Sequence, residues 1–181
     1  PVISLILKLF DGALAIGTEN AEHYRAHGMP DNKIFCVPYT VDNELFMSTN
    51  DWSEVEIKAT KRQLGIPLGM PIILFVGKLI PNKQPFVLLK AFHRMQLKTN
   101  KPAALVFVGD GRLLVSLKNY SCQNNVKNVI FAGFVNQTEI KKYYGIADIF
   151  VLPSIQEAWG LVVNEAMCAK NAVIATESIG A

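Results

Sequence analysis

An apolar run from Ile149 to Leu152 is cut off by Pro153, and after a short polar stretch Gly160 opens a segment of small and apolar residues. The first run reads as a buried strand and the second as a helix. The same order recurs upstream. Ile72 to Val76 leads into Gly77, Ala104 to Val108 into Gly109-Asp110-Gly111, and Asn128 to Ala132 into Gly133-Phe134-Val135, each followed by a helical pattern. Ala172 to Thr176 supplies a further strand. Strands that alternate with helices predict an α/β fold built on a doubly wound, Rossmann-like parallel sheet. Continuous apolar strands suit such a sheet, because helices cover both of its faces.

Composition agrees and narrows the function. The chain is 50% hydrophobic and 18% charged, which fits a filled core rather than disorder. A net charge of +3, scattered along 181 residues, is too weak for a nucleic-acid surface. Cys36, Cys122 and Cys168 form no C-x-x-C pair, so they suggest neither a zinc site nor a disulfide framework but a reducing cytoplasm. Val2 to Phe10 is apolar but short and interrupted by Lys8, which fits a buried helical turn better than a membrane span. The chain lacks an initiating Met and stops at Ile179-Gly180-Ala181, as a piece of a longer protein would.

Ahead of the main sheet, Ala13 to Ile16 and Lys33 to Val37 read as strands flanking a helix capped near Thr18 and stopped at Gly28. This is a small parallel crossover unit. His23 and His27 have i, i+4 spacing but lack a third ligand, and a solvated helix face accounts for them. The aperiodic segment Pro38 to Phe46 reads as a connector or surface loop. Asp51 to Leu64 reads as an outer helix, with capping-box spacing at Ser53 and Glu56 and at Asp51 and Glu54.

The chemistry gathers at the strand ends. A helix start presents unpaired N–H groups and a partial positive charge, which favour an anion. Lys78 and Lys83 place cations in the loop after Ile72 to Val76. Glu157 precedes the helix opened by Gly160, and Glu165 lies about one turn inside it, its side chain leaning back toward the helix start. Carboxylates repel an anion and are better used on neutral hydroxyls. A ligand that combines an anion with many hydroxyls is a nucleotide sugar. The competing account is plain: solvated loop lysines, two solvated acids, and a simple Gly-Phe-Val turn around a buried Phe134.

Glu157-Ala-Trp-Gly-Leu-Val-Val-Asn-Glu165-Ala-Met resembles the E-x7-E motif of the retaining glycosyltransferases of the GT-B fold, group 1 (family 4). Val76-Gly77-Lys78 and Lys83-Gln84 resemble that family's phosphate loop, with Lys78 in place of the usual Arg and Gln84 in place of Gly. Lys keeps the charge but loses the bidentate fork. Gly109-Asp110-Gly111 and Gly133-Phe134-Val135 also match, as does Gly180-Ala181. At the end of the last helix, Lys170-Asn171-Ala172 replaces the usual Gly-x-Pro, and Asn171 is expected to take the left-handed position.

The resemblance implies that residues 1–42 are the tail and connector of an N-terminal Rossmann-like domain and residues 43–181 a C-terminal donor-binding domain. It implies catalytic roles for Lys78, Lys83 and Glu157, and donor contacts for Gly77, Val135, Trp159, Gly160, Leu161 and Glu165. Val135 would pack on the base, Glu157 would touch the donor sugar, and Glu165 would hold the ribose. The implied activity is transfer of a hexose from a nucleoside-diphosphate sugar to an acceptor hydroxyl with retention. No metal or cofactor is implied, in keeping with the absence of an Asp-x-Asp triplet. The implied acceptor is a sugar or lipid-linked sugar, as in polysaccharide biosynthesis, and the implied location is the cytoplasm or the inner face of the membrane, with peripheral membrane contact. Two rivals share the fold: a sugar-nucleotide epimerase, and a scaffold that binds nucleotide sugars without catalysis.

Overall fold

The computed structural model describes residues 2–180 and divides into two compact units, 1–40 and 41–181. Ala181, half of the Gly180-Ala181 match, lies outside the described residues.

In the first unit, helix α1 (Val2–Leu7) precedes strand β1 (Ala13–Ala15), helix α2 (Thr18–Ala26) and strand β2 (Ile34–Cys36). β1 and β2 pair in parallel, as the strand, helix, strand order requires. The helix cap differs from expectation. Gly17, not Thr18, is the capping residue of α2, and no side chain closes it; the nearby Asn20 carboxamide instead accepts the Ile16 N–H. No residue of α1 is buried, in contrast to the buried turn its composition suggested, and Val2 and Leu5 are exposed.

The second unit opens with α3 (Asn43–Met47), a 3-10 turn (Ser48–Asp51) and α4 (Glu54–Gln63). The expected single helix from Asp51 is thus broken, because the Ser53–Glu56 capping box starts α4 and the Asp51–Glu54 alternative does not form. There follow β3 (Ile72–Val76), α5 (Pro85–Lys98), β4 (Ala104–Val108), α6 (Leu114–Gln123), β5 (Val129–Gly133), α7 (Gln137–Ile146), β6 (Ile149–Leu152), α8 (Leu161–Cys168) and β7 (Ala172–Ala175). The five strands are all parallel, in the order β5-β4-β3-β6-β7. α5 contacts α6, while α3 packs on α7 and α8 and α4 on α7, as the usual right-handed crossovers, which set α5 and α6 on one face and α7 and α8 on the other, require.

The core is apolar and aromatic. Every residue of β4 is buried, and the Phe75, Phe107 and Phe131 rings run across neighbouring strands with centroids 5.4 and 5.3 Å apart. Phe75 and Phe107, both fully buried, each contribute roughly 1.5–3 kcal/mol, and the half-buried Phe131 less. At the end of α8 the left-handed residue is Lys170 (φ 59°) rather than Asn171. Asn171 is buried instead, its amide donating to the Tyr144 and Ala147 carbonyls at 2.9 and 2.8 Å. These carbonyls lie at and just beyond the end of α7, where the Tyr144 carbonyl also accepts the Ala147 N–H, so the Asn171 amide ties the end of α7 to the end of α8.

Because the sheet is parallel, all its carboxyl-end loops share one edge, and glycine lets them meet. A Cβ on Gly109 (φ 131°) would lie 2.0 Å from the Gly77 carbonyl oxygen, and one on Gly111 would lie 2.6 Å from that of Leu79. Gln84 is left-handed (φ 51°), which explains why glycine suits this position in the similar loop. Gly109→Ala should therefore lower the unfolding free energy by ~2–4 kcal/mol. Gln84→Gly should raise it by ~0.5–1 kcal/mol, because it relieves a left-handed side chain. Denaturant titration of the two variants checks both.

Candidate functional site

The strand order reverses between β3 and β6, since the chain steps outward from β3 to β5 and then returns to the other side of β3. In open α/β sheets ligands bind at such a switch point, beyond the carboxyl ends of the strands. Here the bordering loops are residues 77–84 and 153–160. The Ile155 N–H donates to the Asn82 carbonyl at 2.8 Å, and the Asn82 amide donates to the Gln156 carbonyl at 2.8 Å. Lys83 forms an ion pair with Glu157 across the same gap, and each side chain is only 18% exposed.

Further bonds extend the contact along the edge. The Gly109 N–H reaches the Gly133 carbonyl at 2.8 Å and the Leu79 N–H reaches Asp110 at 2.9 Å. On the other side, the Glu157 N–H donates to Ser178 at 3.1 Å and its carbonyl accepts from Gly180 at 3.3 Å. The loops after all five strands are thereby joined.

A cleft of about 720 Å³ opens over the β3, β4 and β5 ends, lined by Gly77, Lys78, Asp110, Phe134, Val135 and Ile140 among others. Three expected site residues thus meet there: Gly77, Lys78 and Val135. Phe134 is 81% exposed at the cleft, not buried in the turn as the simpler account required. Sequence reasoning passed over it because an aromatic residue beside a strand is ordinarily core.

The remaining expected residues lie outside that lining, around the start of α8. Gly160 (φ 86°) caps α8, and a Cβ there would come within 2.9 Å of Ile179 and 3.2 Å of the Glu157 side chain. Glycine is required both for the turn and for the approach of Glu157. Leu161 is the first helical residue and is 40% exposed. The Trp159 indole N–H donates to Asn164 at 3.0 Å.

Glu165 takes a partner the sequence did not indicate. The hydroxyl of Tyr144, a fully buried residue of α7, donates to its carboxylate at 2.6 Å. Tyr144 is itself set by an edge-on contact with Phe46, at 5.4 Å. Burial raises the pKa of Glu165, and the Tyr144 bond opposes part of the rise. Burial also pushes Tyr144 well up, with the Glu165 charge adding to it. The Lys83 ammonium is pulled down, mainly by burial and then by repulsion from Lys78.

The arrangement offers lysine charge for an anion, an exposed aromatic and a valine for a flat ring, and carboxylates for hydroxyl groups. Since the native state holds the Glu165 proton to higher pH than the unfolded chain does, its contribution to stability is present at acid pH. It is lost as pH rises through the raised value. Glu165→Gln should remove this loss, so that stability falls less than in the parent between the ordinary carboxylate range and neutrality. Denaturant midpoints measured across that range check it.

Comparison with known proteins agrees with this geometry. Residues 56–181 match the family described as glycosyl transferases group 1. The chain is 33% identical over 155 residues to an uncharacterized glycosyltransferase, MJ1607, of Methanocaldococcus jannaschii, covering 81% of this chain and 39% of that protein. It is 34% identical over 128 residues to the putative teichuronic acid biosynthesis glycosyltransferase TuaC of Bacillus subtilis, covering 71% and 29%. The chain therefore spans well under half the length of these relatives. Among solved structures it resembles Anabaena Alr3699/HepE in complex with UDP and glucose, with a TM-score of 0.78 at 19% identity, covering 99% of this chain and 48% of that one. With its parallel sheet, its glycine-mediated loop contacts and this match along most of its length, the chain belongs to the group 1 glycosyltransferases of the GT-B fold.

Proposed function

We propose that this chain supplies the donor half of a retaining hexosyltransferase, which moves a hexose from a nucleoside diphosphate to an acceptor hydroxyl. The observation that carries the reading is the joining of the β3 and β6 loops at the switch point, with Lys83 and Glu157 in contact there. The Anabaena neighbour's UDP and glucose support the ligand class.

In this reading Lys78 and Lys83 take the diphosphate, assisted by the N-terminal end of α8 at Gly160 and Leu161. Phe134 and Val135 pack on the base across the Gly77 cleft. Glu165, oriented by Tyr144, accepts from ribose hydroxyls; Glu157 accepts from the hexose, beside Trp159. In the reaction the bond from the anomeric carbon to the phosphate oxygen breaks, and the diphosphate leaves with the electron pair. The lysines stabilise the charge that develops on it, the task that usually dominates such sites. The acceptor hydroxyl oxygen then bonds to the anomeric carbon on the face the diphosphate left, and its proton passes to the departing phosphate oxygen. Residues 1–42 belong to the N-terminal domain and connector, and that domain brings the acceptor, a sugar or lipid-linked sugar, and any general base. The whole protein works in the cytoplasm or at the inner face of the membrane. Among the described residues no helix is long and apolar enough to cross one.

Calorimetry with UDP-, ADP- and GDP-glucose tests the donor site. One of them should bind, and Lys83→Ala and Glu165→Ala should each weaken it by tenfold or more, roughly the loss of one charge-assisted contact. Failure of every nucleotide and nucleotide sugar to bind would sink the reading in favour of a module that keeps the fold without a donor site. The chain alone should show no glycosyl transfer, and detectable turnover would contradict the division of labour between domains.

A further inference from the structure

Lys83 and Glu157 are each mostly withdrawn from water, so each is costly to leave without a partner. Their backbones are held independently of the pair. Asn82 and Ile155 join the two loops, and Glu157 is pinned by Ser178 and Gly180. The lysine charge sits on a flexible four-carbon stem that can change partner without any backbone movement. Lys78 adds a second cation whose charge is felt at Lys83. Lys78, Lys83 and Glu157 together carry one net positive charge, and an arriving diphosphate competes with the carboxylate for the same ammonium.

Resting on the donor-site reading above, we propose that Lys83 exchanges partners. It neutralises Glu157 in the unliganded protein and passes to the diphosphate when a donor binds, and the released Glu157 then accepts a hydroxyl of the sugar. Two consequences follow for specificity. A nucleoside diphosphate without its sugar takes Lys83 but leaves Glu157 unpaired beside phosphate oxygens. An intact nucleotide sugar brings hydroxyl donors that satisfy the carboxylate. The exchange therefore favours donor over the diphosphate product, and it eases product release once the sugar has gone.

The test is a double-mutant cycle on the whole chain, with UDP, ADP and GDP and their glucose conjugates as probes, read by calorimetry. Glu157→Gln should tighten the free diphosphate by about five- to tenfold while Lys83 is present, because the lysine no longer has to be taken from a carboxylate. In a Lys83→Met background the same change should tighten it less than about twofold. The preference for nucleotide sugar over free diphosphate should fall in Glu157→Gln. Glu157→Ala, which removes the charge without leaving an amide, should give the same pattern, and thermal melts check that each variant is folded. An equal gain from Glu157→Gln in both backgrounds would mean simple repulsion between carboxylate and phosphate, and no gain would mean no competition. Either result overturns the exchange while leaving the donor site intact, since diphosphate would still bind and Lys83→Met would still weaken it. If no probe binds the parent chain, the donor reading falls and the exchange falls with it.

Discussion

The carboxyl edge of the sheet depends on loop-to-loop contact across the β3–β6 switch point. Two backbone carbonyls, those of Asn82 and Gln156, accept across it, and the Lys83–Glu157 pair sits over the same gap. A charge pair this far from water is weak evidence for stability, because desolvation consumes much of the attraction. Its position at the place where a parallel sheet parts its connections is better explained by use. The neutral hydrogen bonds hold the loops together, which leaves the charged groups available for a ligand.

The rest of the edge is arranged so that backbones can meet there. Gly109 and Gly111 press directly on the Gly77–Leu79 backbone, and Gly160 lets Glu157 and Ile179 close over the start of α8. A side chain at any of these positions would separate two loops, not simply crowd one. The glycines therefore act in pairs of elements, and Gly77, Gly109 and Gly111 line the cleft beside Lys78 and Val135.

Behind the edge, the second layer of the site is built from the core. Tyr144 spans the two: its ring packs on Phe46, its backbone carbonyl accepts from Asn171, and its hydroxyl holds Glu165. The orientation of one acid at the surface thus depends on a ring that is wholly buried. In the first unit Val2, Ile3, Leu5 and Ile6 of α1 are exposed.

The strands, their order in the chain, the glycine turns and the residue types at the strand ends could all be read from local pattern. An apolar run of four or five residues bounded by glycine or proline has few other uses, and the capping pair Ser53–Glu56 forms as its spacing indicates. What depends on distant parts of the chain could not be read this way. The partner of Glu165 lies 21 residues away on another helix. Asn171 gave up the left-handed turn because the carbonyls it serves belong to α7, and Phe134 stays exposed because its strand ends at an open cleft. Local sequence determines which conformations and charges are available. Only the packed fold decides which of them meet, because burial and hydrogen-bond satisfaction are settled between elements rather than within them.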